Sequence, residues 1–360
     1  MMTALGRSEW LRTDFACPGC GQGGAHVDGL LGLDGFLTRQ ATRLVCLAGG
    51  QLAFAPAGRM LAACCGWTLS DQTIRLACEG QSARMAGFHL RPAVGVAFAE
   101  AAGEVEFQLD ATTLKTTGGW REMKIGIFAR GEPGEKATAA QWDSRTLPAP
   151  TARVAFAAIE PIQRFAPRLG VWASRLGLTD TAAITTLGDG AGWIGNAAAE
   201  QLPGSGGVLE IDHAAGHISE AGKKLLGEKA AAAKTWLEEG RALMLSEGWA
   251  GLCDPIGARL AKSPELSGHA ALDELTGDFA AQTGRMNDAH RLNTGRSIGS
   301  GMVEGAAKNL IGKRLKQRGA RWVVGNADAM ATLCSLSDSD HWDLDWASPN
   351  GMPEYAGARV

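Results

Sequence analysis

Three acidic residues stand where side chains of their type can do chemistry. Asp110 and Asp189 each follow an apolar run of strand character, Val105 to Leu109 and Ala182 to Leu187, so both carboxylates are expected at the C-terminal end of a strand, where backbone pairing stops. Oxygen ligands there are badly placed for core packing and well placed to hold a hard divalent cation. Two such strand ends side by side bring like charges together, an arrangement that a metal relieves. Glu304 is the natural third ligand, on a small, apolar helix face between Val303 and Ala307 and one turn before Lys308, which can meet a phosphate beside the metal. Each residue also has an ordinary use. Asp189-Gly190 is a common turn pair, Asp110 can cap a strand end, and Glu304 can pair with Lys308 at little energetic gain. The order strand-Asp, strand-Asp, helical stretch, helix-Glu favours the joint chemical reading.

A basic stretch follows the third carboxylate. Between Lys308 and Arg321 the chain carries Lys308, Lys313, Arg314, Lys316, Arg318 and Arg321 and no acidic residue. A solvated helix face normally intersperses Glu or Asp, so phosphate neutralisation is the simplest use for this cluster. Nearer the N-terminus, Phe54 to Cys65 has helical spacing and ends at Gly66, and Ser70 is a good N-cap for a second amphipathic helix to about Met85. That layout is a helix-turn-helix, with Gln72, Arg75 and Gln81 facing bases or phosphates; an ordinary helical hairpin is the equal alternative. Cys17-Pro18-Gly19-Cys20 is one knuckle of a zinc site. No second CxxC follows, the nearest further candidates are His26 and Cys46, and a knuckle without Zn²⁺ fits as well. Cys46, Cys64, Cys65, Cys78, Cys253 and Cys334 lie in apolar stretches and are expected to act as small buried hydrophobes.

The elements that must position these groups change along the chain. The first hundred residues have helical texture. Strands are expected at Val105 to Asp110, Glu122 to Ala129, Thr151 to Ile159, Ala182 to Leu187 and Val208 to Ile211, with a polar, exposed connection between the second and third. Pro161 to Leu178 and a segment through Trp193 and Ile194 read as helices, which makes an α+β layout with a mixed sheet. From about His213 the strands stop, and Ser219 to Glu247 reads as one long helix of an all-helical insertion. The divisions are 1–99, an N-terminal Cys-knuckle and helix-turn-helix-like DNA-binding region; 100–212, the first part of the catalytic core; 213–297, the insertion; 298–336, the last core helices with Glu304; and 337–360, a loosely ordered acidic tail.

Bulk composition hides these features. The 360 residues carry a formal net charge of −3, with 45% hydrophobic and 20% charged side chains, which excludes a disordered chain and suggests a neutral metabolic enzyme. The charge is a sum of opposed segments: residues 301–321 carry six basic groups and one acid, and residues 322–360 carry one Arg and six acids. No apolar run reaches the length of a membrane span and the N-terminus lacks a signal-peptide core, so no membrane partner and a cytoplasmic location are expected.

Several segments together resemble a known family. Gly188-Asp189-Gly190-Ala191-Gly192-Trp193-Ile194, His213-Ala214-x-x-His217, and Ile298-Gly299-Ser300-Gly301-Met302-Val303-Glu304-Gly305-Ala306-Ala307-Lys308 followed by Arg314-Leu315-Lys316-Gln317-x-Gly319-x-Arg321-Trp322 resemble the ISKra family of bacterial insertion-sequence transposases, DDE enzymes akin to Mutator-type elements. Trp120-Arg121-Glu122-x-Lys124 and Ser70-Asp71-x-Thr73-Ile74-Arg75 extend the resemblance from about residue 15 to 335. It implies an RNase H-like core of five strands interrupted by a helical insertion. It further implies that Asp110, Asp189 and Glu304 hold two Mg²⁺ (or Mn²⁺) ions, typically about 3.5–4 Å apart, for hydrolysis and transesterification of phosphodiesters. His213 would orient the scissile phosphate or the nucleophile, with His217 lining the same region. The implied partners are double-stranded DNA, as element terminal inverted repeats and target, and further copies of the chain in at least a dimer. The sequence departs from the family in having Glu210 three residues before His213 where relatives carry Asp, Asp212 at a usually aromatic position, and no second Cys pair. A catalytically inactive or repurposed DNA-binding derivative is the alternative. An RNase H-like repair nuclease is a third reading, which the insertion and the GSGxVE segment disfavour.

Overall fold

The computed structural model describes residues 1–9, 11, 13–25, 28, 33–85, 91–262, 269–339 and 342–347. Short strands, not helices, open the chain: Met2–Thr3, Gly6–Arg7, Leu33–Asp34 and Leu37–Thr38 make a small four-stranded sheet, and Phe15–Ala16 pairs with Gly23–Gly24. Four helices follow, α1 (Arg39–Gln51), α2 (Phe54–Cys65), α3 (Asp71–Met85) and α4 (Pro92–Glu100). Thr38 opens α1 by accepting the Ala41 N–H at 3.3 Å. The sequence reading marked no helix there, because the buried positions of α1 are mostly small: Ala41, Val45, Cys46 and Ala48. The expected helix, turn and capped helix are present in α2 and α3. Gly66 ends α2 in the left-handed region (φ 68°), and the Ser70 hydroxyl accepts the Thr73 N–H at 3.1 Å.

The polypeptide next builds one mixed sheet. β1 (Glu104–Thr116), β2 (Gly119–Gly131) and β3 (Ala152–Ala158) form an antiparallel meander; α5 (Ile162–Arg175) leads to β4 (Ile184–Gly188), and α6 (Gly192–Gln201) to β5 (Gly206–Leu209). The order is β5-β4-β1-β2-β3, with β4 parallel to β1 and β5 parallel to β4. Five strands in a mixed sheet match the expected α+β layout. One detail differs: Asp110 is not at a strand end but in mid-β1, opposite Ile125 on β2. The β1–β2 hairpin keeps pairing to Thr116 and Gly119, which one strand read alone does not reveal. β4 pairs with β1 only as far as Leu187 opposite Gln108, so Asp110 still sits where the parallel ladder stops, beside Asp189.

β1 separates two buried environments, because successive side chains point to opposite faces. Val105, Phe107 and Leu109 are buried, and Phe107 enters an aromatic stack through Phe128, Phe156 and Phe165 with centroid spacings of 4.6, 6.0 and 5.8 Å. Glu106, Gln108, Asp110 and Thr112 form a polar stripe on the other face. Alternation of this kind suggests a half-buried strand, but the stripe is covered: Gln108 is 1% exposed and its Oε1 accepts the Val303 N–H at 3.1 Å.

The helical stretch begins earlier than expected. α7 (Ile211–Leu226) starts directly after β5, capped by Glu210, whose carboxylate accepts the N–H groups of Asp212 (3.0 Å) and His213 (2.7 Å). The expected single helix over Ser219 to Glu247 is two, since α7 ends at Gly227 and α8 (Ala231–Lys262) begins afterwards, kinked at Gly248. α9 (Ala270–Ala280) and α10 (Asp288–Asn293) complete the unit. Ile218, Trp236, Leu245, Leu272, Phe279 and Ile298 give it a hydrophobic core separate from the one under the sheet. The connection across 132–150 is anchored rather than free: Gly134 N–H donates to Gly295 O, and Ala137 N–H to Leu292 O, with Ala137 buried.

α11 (Gly301–Ala306) runs through a π-helical turn (Ala307–Gly312) into α12 (Lys313–Leu315). α13 (Val324–Asp338) packs on β3, with Asp328 accepting the Ile159 N–H at 2.7 Å. Val45, Leu61 and Ile74 of α1 to α3 share one apolar core with Met330 and Leu333 of α13, so the N-terminal helices are built onto the sheet domain. The stretch expected as a loose tail contains α14 (Trp342–Ala347), whose Trp346 is buried with Arg39 over its ring; residues 348–360 lie outside the described residues. Cys46, Cys78 and Cys334 are buried as expected, but Cys64 is exposed and Cys65 half-buried. The Cys253 side chain lies outside the described residues. Among the described residues no helix is long and apolar enough to cross a membrane.

Candidate active site

The polar stripe of β1 leads to the three carboxylates. Burial pushes the Asp110 carboxyl above the usual carboxylate range. The Ala111 N–H opposes this from 2.6 Å, while the charges of Asp189, Glu304 and Glu122 push in the same direction as burial. The expected triad is therefore brought into one charged neighbourhood from β1, the end of β4 and α11. Asp189 also does its turn chemistry, accepting the Ala191 N–H at 2.9 Å. Gly190 must be glycine here: its φ is +82°, and a Cβ would lie 2.8 Å from Leu209. Glu304 accepts the Ser300 hydroxyl at 3.1 Å, and Lys308 stays exposed with its Nζ 3.9 Å from the carboxylate.

Hard oxygen donors on three elements suit a divalent cation such as Mg²⁺ in chemistry. Among the described residues, however, no three of His, Cys, Asp and Glu are gathered closely enough to hold an ion. The carboxylates are neighbours that repel one another.

Arg285, Gln282, Glu106, Arg291 and Asp288 also surround this centre and belong to no sequence motif. The Arg285 guanidinium donates to Gly188 O (3.4 Å) and Val208 O (3.1 Å), fastening the ends of β4 and β5 beneath Asp189. Gln282 Nε2 donates to Gly190 O at 3.4 Å. Lys124 is buried beside Asp110's strand, 2.6 Å from Glu122 and 5.5 Å over the Trp193 ring. Further along the stripe, Glu106 pairs with Arg291 at 2.6 Å, and burial pushes the nearby Asp288 carboxyl up to about 7. His213 and His217 stand one turn apart on α7, as expected from their spacing, with their Nε2 atoms 2.9 Å apart. Burial and then His217 lower the His213 pKa, against the pull of Asp189 and Asp278. Compared with known proteins, the chain matches no family model, and no curated protein is significantly similar to it.

The basic cluster divides. Lys308, Lys313, Lys316, Arg318 and Arg321 are exposed, and Lys316 Nζ reaches Thr112 at the end of the polar stripe. Arg314 does not belong with them. It is 3% exposed, donates to Gly49 O at 2.6 Å, and lies 4.5 Å from the Phe54 ring and 5.2 Å from the Trp322 ring. Its phase gives the reason: Arg314 follows the buried Leu310 by one turn and so points inward with it. The β1–β2 hairpin tip adds cations beside the cluster, because Lys115 O accepts the Trp322 N–H and Arg121 is exposed.

On α3, Gln72 is exposed and Arg75 is half-buried. The Arg75 guanidinium is already held by Gln72 (3.0 Å) and Glu79 (3.0 Å), and Glu79 also accepts from Asn326. Gln81, expected to face DNA, is buried in the core instead, because it shares the inner face of α3 with Ile74, Cys78 and Met85. Cys17 and Cys20 are exposed on the turn between the two paired strands, where Gly21 N–H donates to Cys17 O. Backbone N–H groups of Cys20 and Gly19 lower the Cys17 pKa. Cys46 is buried in α1 against Ala77, away from solvent, and His26 lies outside the described residues.

Proposed function

We propose that this protein is a DDE-type transposase, of the kind found in ISKra insertion sequences, that binds the ends of its element and cuts and joins DNA with Asp110, Asp189 and Glu304. One observation carries the reading: carboxylates far apart in the chain share one charged neighbourhood where the parallel ladder ends, and the residues between the second and third form a helical unit with its own core. A five-stranded mixed sheet of three antiparallel strands joined to two parallel ones, followed by the helices α7 to α10, supports an RNase H-like core with a helical insertion.

A pair of Mg²⁺ or Mn²⁺ ions on the three carboxylates would supply activation of the attacking oxygen and charge neutralisation at the leaving one. The chain's own residues position and neutralise, which is most of what phosphoryl transfer needs. The turn at Gly190 and the Ala191 N–H aim Asp189, and Ser300 aims Glu304. Lys308, Lys313, Lys316, Arg318 and Arg321, joined by Lys115 and Arg121, hold the phosphates of terminal-repeat and target DNA. A dimer on the nucleoid would hold two element ends at once.

The test is incubation of the purified protein with terminal-repeat DNA and Mg²⁺ or Mn²⁺, reading strand nicks. Wild type is expected to nick, and Asp189→Asn to bind the ends equally well without nicking. Nicking by the variant at the wild-type rate overturns the assignment. End binding by a wild type that never nicks marks an inactive derivative.

A further inference from the structure

His213 is the last member of a chain of three side chains. His217 Nδ1 lies 2.6 Å from Asp278 Oδ2 on α9, and His217 Nε2 lies 2.9 Å from His213 Nε2. The protons follow by elimination. A carboxylate only accepts, so the proton of the first bond sits on His217 Nδ1. In its neutral form His217 then presents a lone pair at Nε2, and the proton of the second bond sits on His213 Nε2. His213 is left with its lone pair on Nδ1. All three side chains line a cavity of about 150 Å³ together with Asp189 and Gln282, and the Phe279 ring, 5.9 Å from that of His217, forms part of its wall.

Resting on the transposase reading, we infer that Asp278 and His217 are positioning residues that fix His213 as its Nε2-protonated tautomer, and that His213 Nδ1 accepts the proton of the attacking hydroxyl beside Asp189. The nucleophile is water in strand cleavage and a DNA 3′-hydroxyl in strand transfer. Its O–H bond breaks as its oxygen bonds to phosphorus, and the P–O bond to the leaving 3′-oxygen breaks with the electron pair staying on that oxygen. The proton ends on the His213–His217 pair, and Asp278 offsets the charge it brings. Nothing in the linear order of the chain announces Asp278: it stands on a different helix from the two histidines and belongs to no motif with them.

Side-chain ¹⁵N NMR of the full chain, without DNA or metal and at mildly alkaline pH, tests the proton assignment directly. The expected result is His217 protonated at Nδ1 and His213 at Nε2. Asp278→Ala is expected to scramble both rings, and Asp278→Glu, which keeps a carboxylate, to restore the wild-type pattern. His213 protonated at Nδ1 in the wild type, or an unchanged pattern in Asp278→Ala, overturns the inference. In the nicking assay, Asp278→Ala and His217→Ala are expected to slow the reaction about 10–100-fold, as loss of an orienting partner does. His213→Gln is expected to slow it about 10²–10⁴-fold, the range of a lost general base. End binding should be unchanged in all three. Wild-type nicking rates in these variants, alongside a dead Asp189→Asn, overturn the relay and leave the carboxylate assignment standing. A wild type that never nicks removes the proton-accepting role with the transposase reading, and the NMR still decides the tautomers.

Discussion

The guanidinium of Arg314 packs into the corner formed by the edge-to-face rings of Phe54 and Trp322, with its Nε bound to Gly49 O. Such a cation is held by ring faces and one carbonyl, and replacing it leaves a cavity and an unpaired acceptor. Arg314→Ala is expected to lower stability by about 2–4 kcal/mol, the range of buried-site losses, whereas Lys313→Ala stays within about 0.5 kcal/mol. Urea midpoints of the two variants check this, and equal midpoints would refute the packing role. Asp288 is 2% exposed, and burial raises its carboxyl to about 7 from the ordinary value near 4. Between about pH 4 and 7 the folded chain therefore holds a proton that the unfolded chain has released. That contribution is complete below pH 4 and is lost as pH rises through 7, with a size on the order of a few kcal/mol. Asp288→Asn is expected to flatten this fall in thermal midpoint from pH 5 to 8; parallel profiles for variant and wild type would contradict it. At this scale the positions of Asp189 after β4 and of Glu304 on α11 were legible, because an apolar strand run precedes the one and small helical residues flank the other. Arg314 was hidden by counting charges without following helical phase, and Asp278 and Arg285 by lying in no motif.

Elements were legible where one periodicity governed a whole segment. α2, α3, α5 and β3 were readable from apolar spacing, and the Gly66 and Ser70 caps marked their turn correctly. Boundaries failed where a partner decides them. β1 extends past Asp110 because β2 pairs with it to the hairpin tip, and β5 stops at Leu209 because Glu210 caps the next helix. α1 escaped notice since small side chains bury without a strong apolar signal. The covered polar stripe of β1 is the deepest case. Alternation identifies two faces, but only the fold shows that α11 lies over the charged one.

The whole molecule carries −3, yet the surface near the carboxylates is basic. Five exposed cations follow α11, and the acidic residues of α13 and α14 balance them elsewhere in the chain. If that surface holds DNA phosphates, affinity falls steeply with salt, and Lys313→Ala and Arg318→Ala each lower the log–log salt slope by about 1 without altering sequence preference. Binding isotherms at several salt concentrations check this; unchanged slopes would move the DNA elsewhere. At this scale α1 to α3 and α13 share one apolar core with the sheet, while the helical unit α7 to α10 has a core of its own.

The parallel ladder between β1 and β4 also sets a schedule for synthesis. The β1–β2–β3 meander pairs neighbours and can form as it leaves the ribosome, but β4 reaches β1 only after α5 has been made. Glu304 emerges later still, once the helices α7 to α10 have been translated. Contacts between such distant segments close slowly, and chains are extended at about 5–20 residues per second. A nascent chain therefore holds Asp110 and Asp189 before Glu304 has been made, so the charged neighbourhood of the three carboxylates assembles only after α11 has been translated.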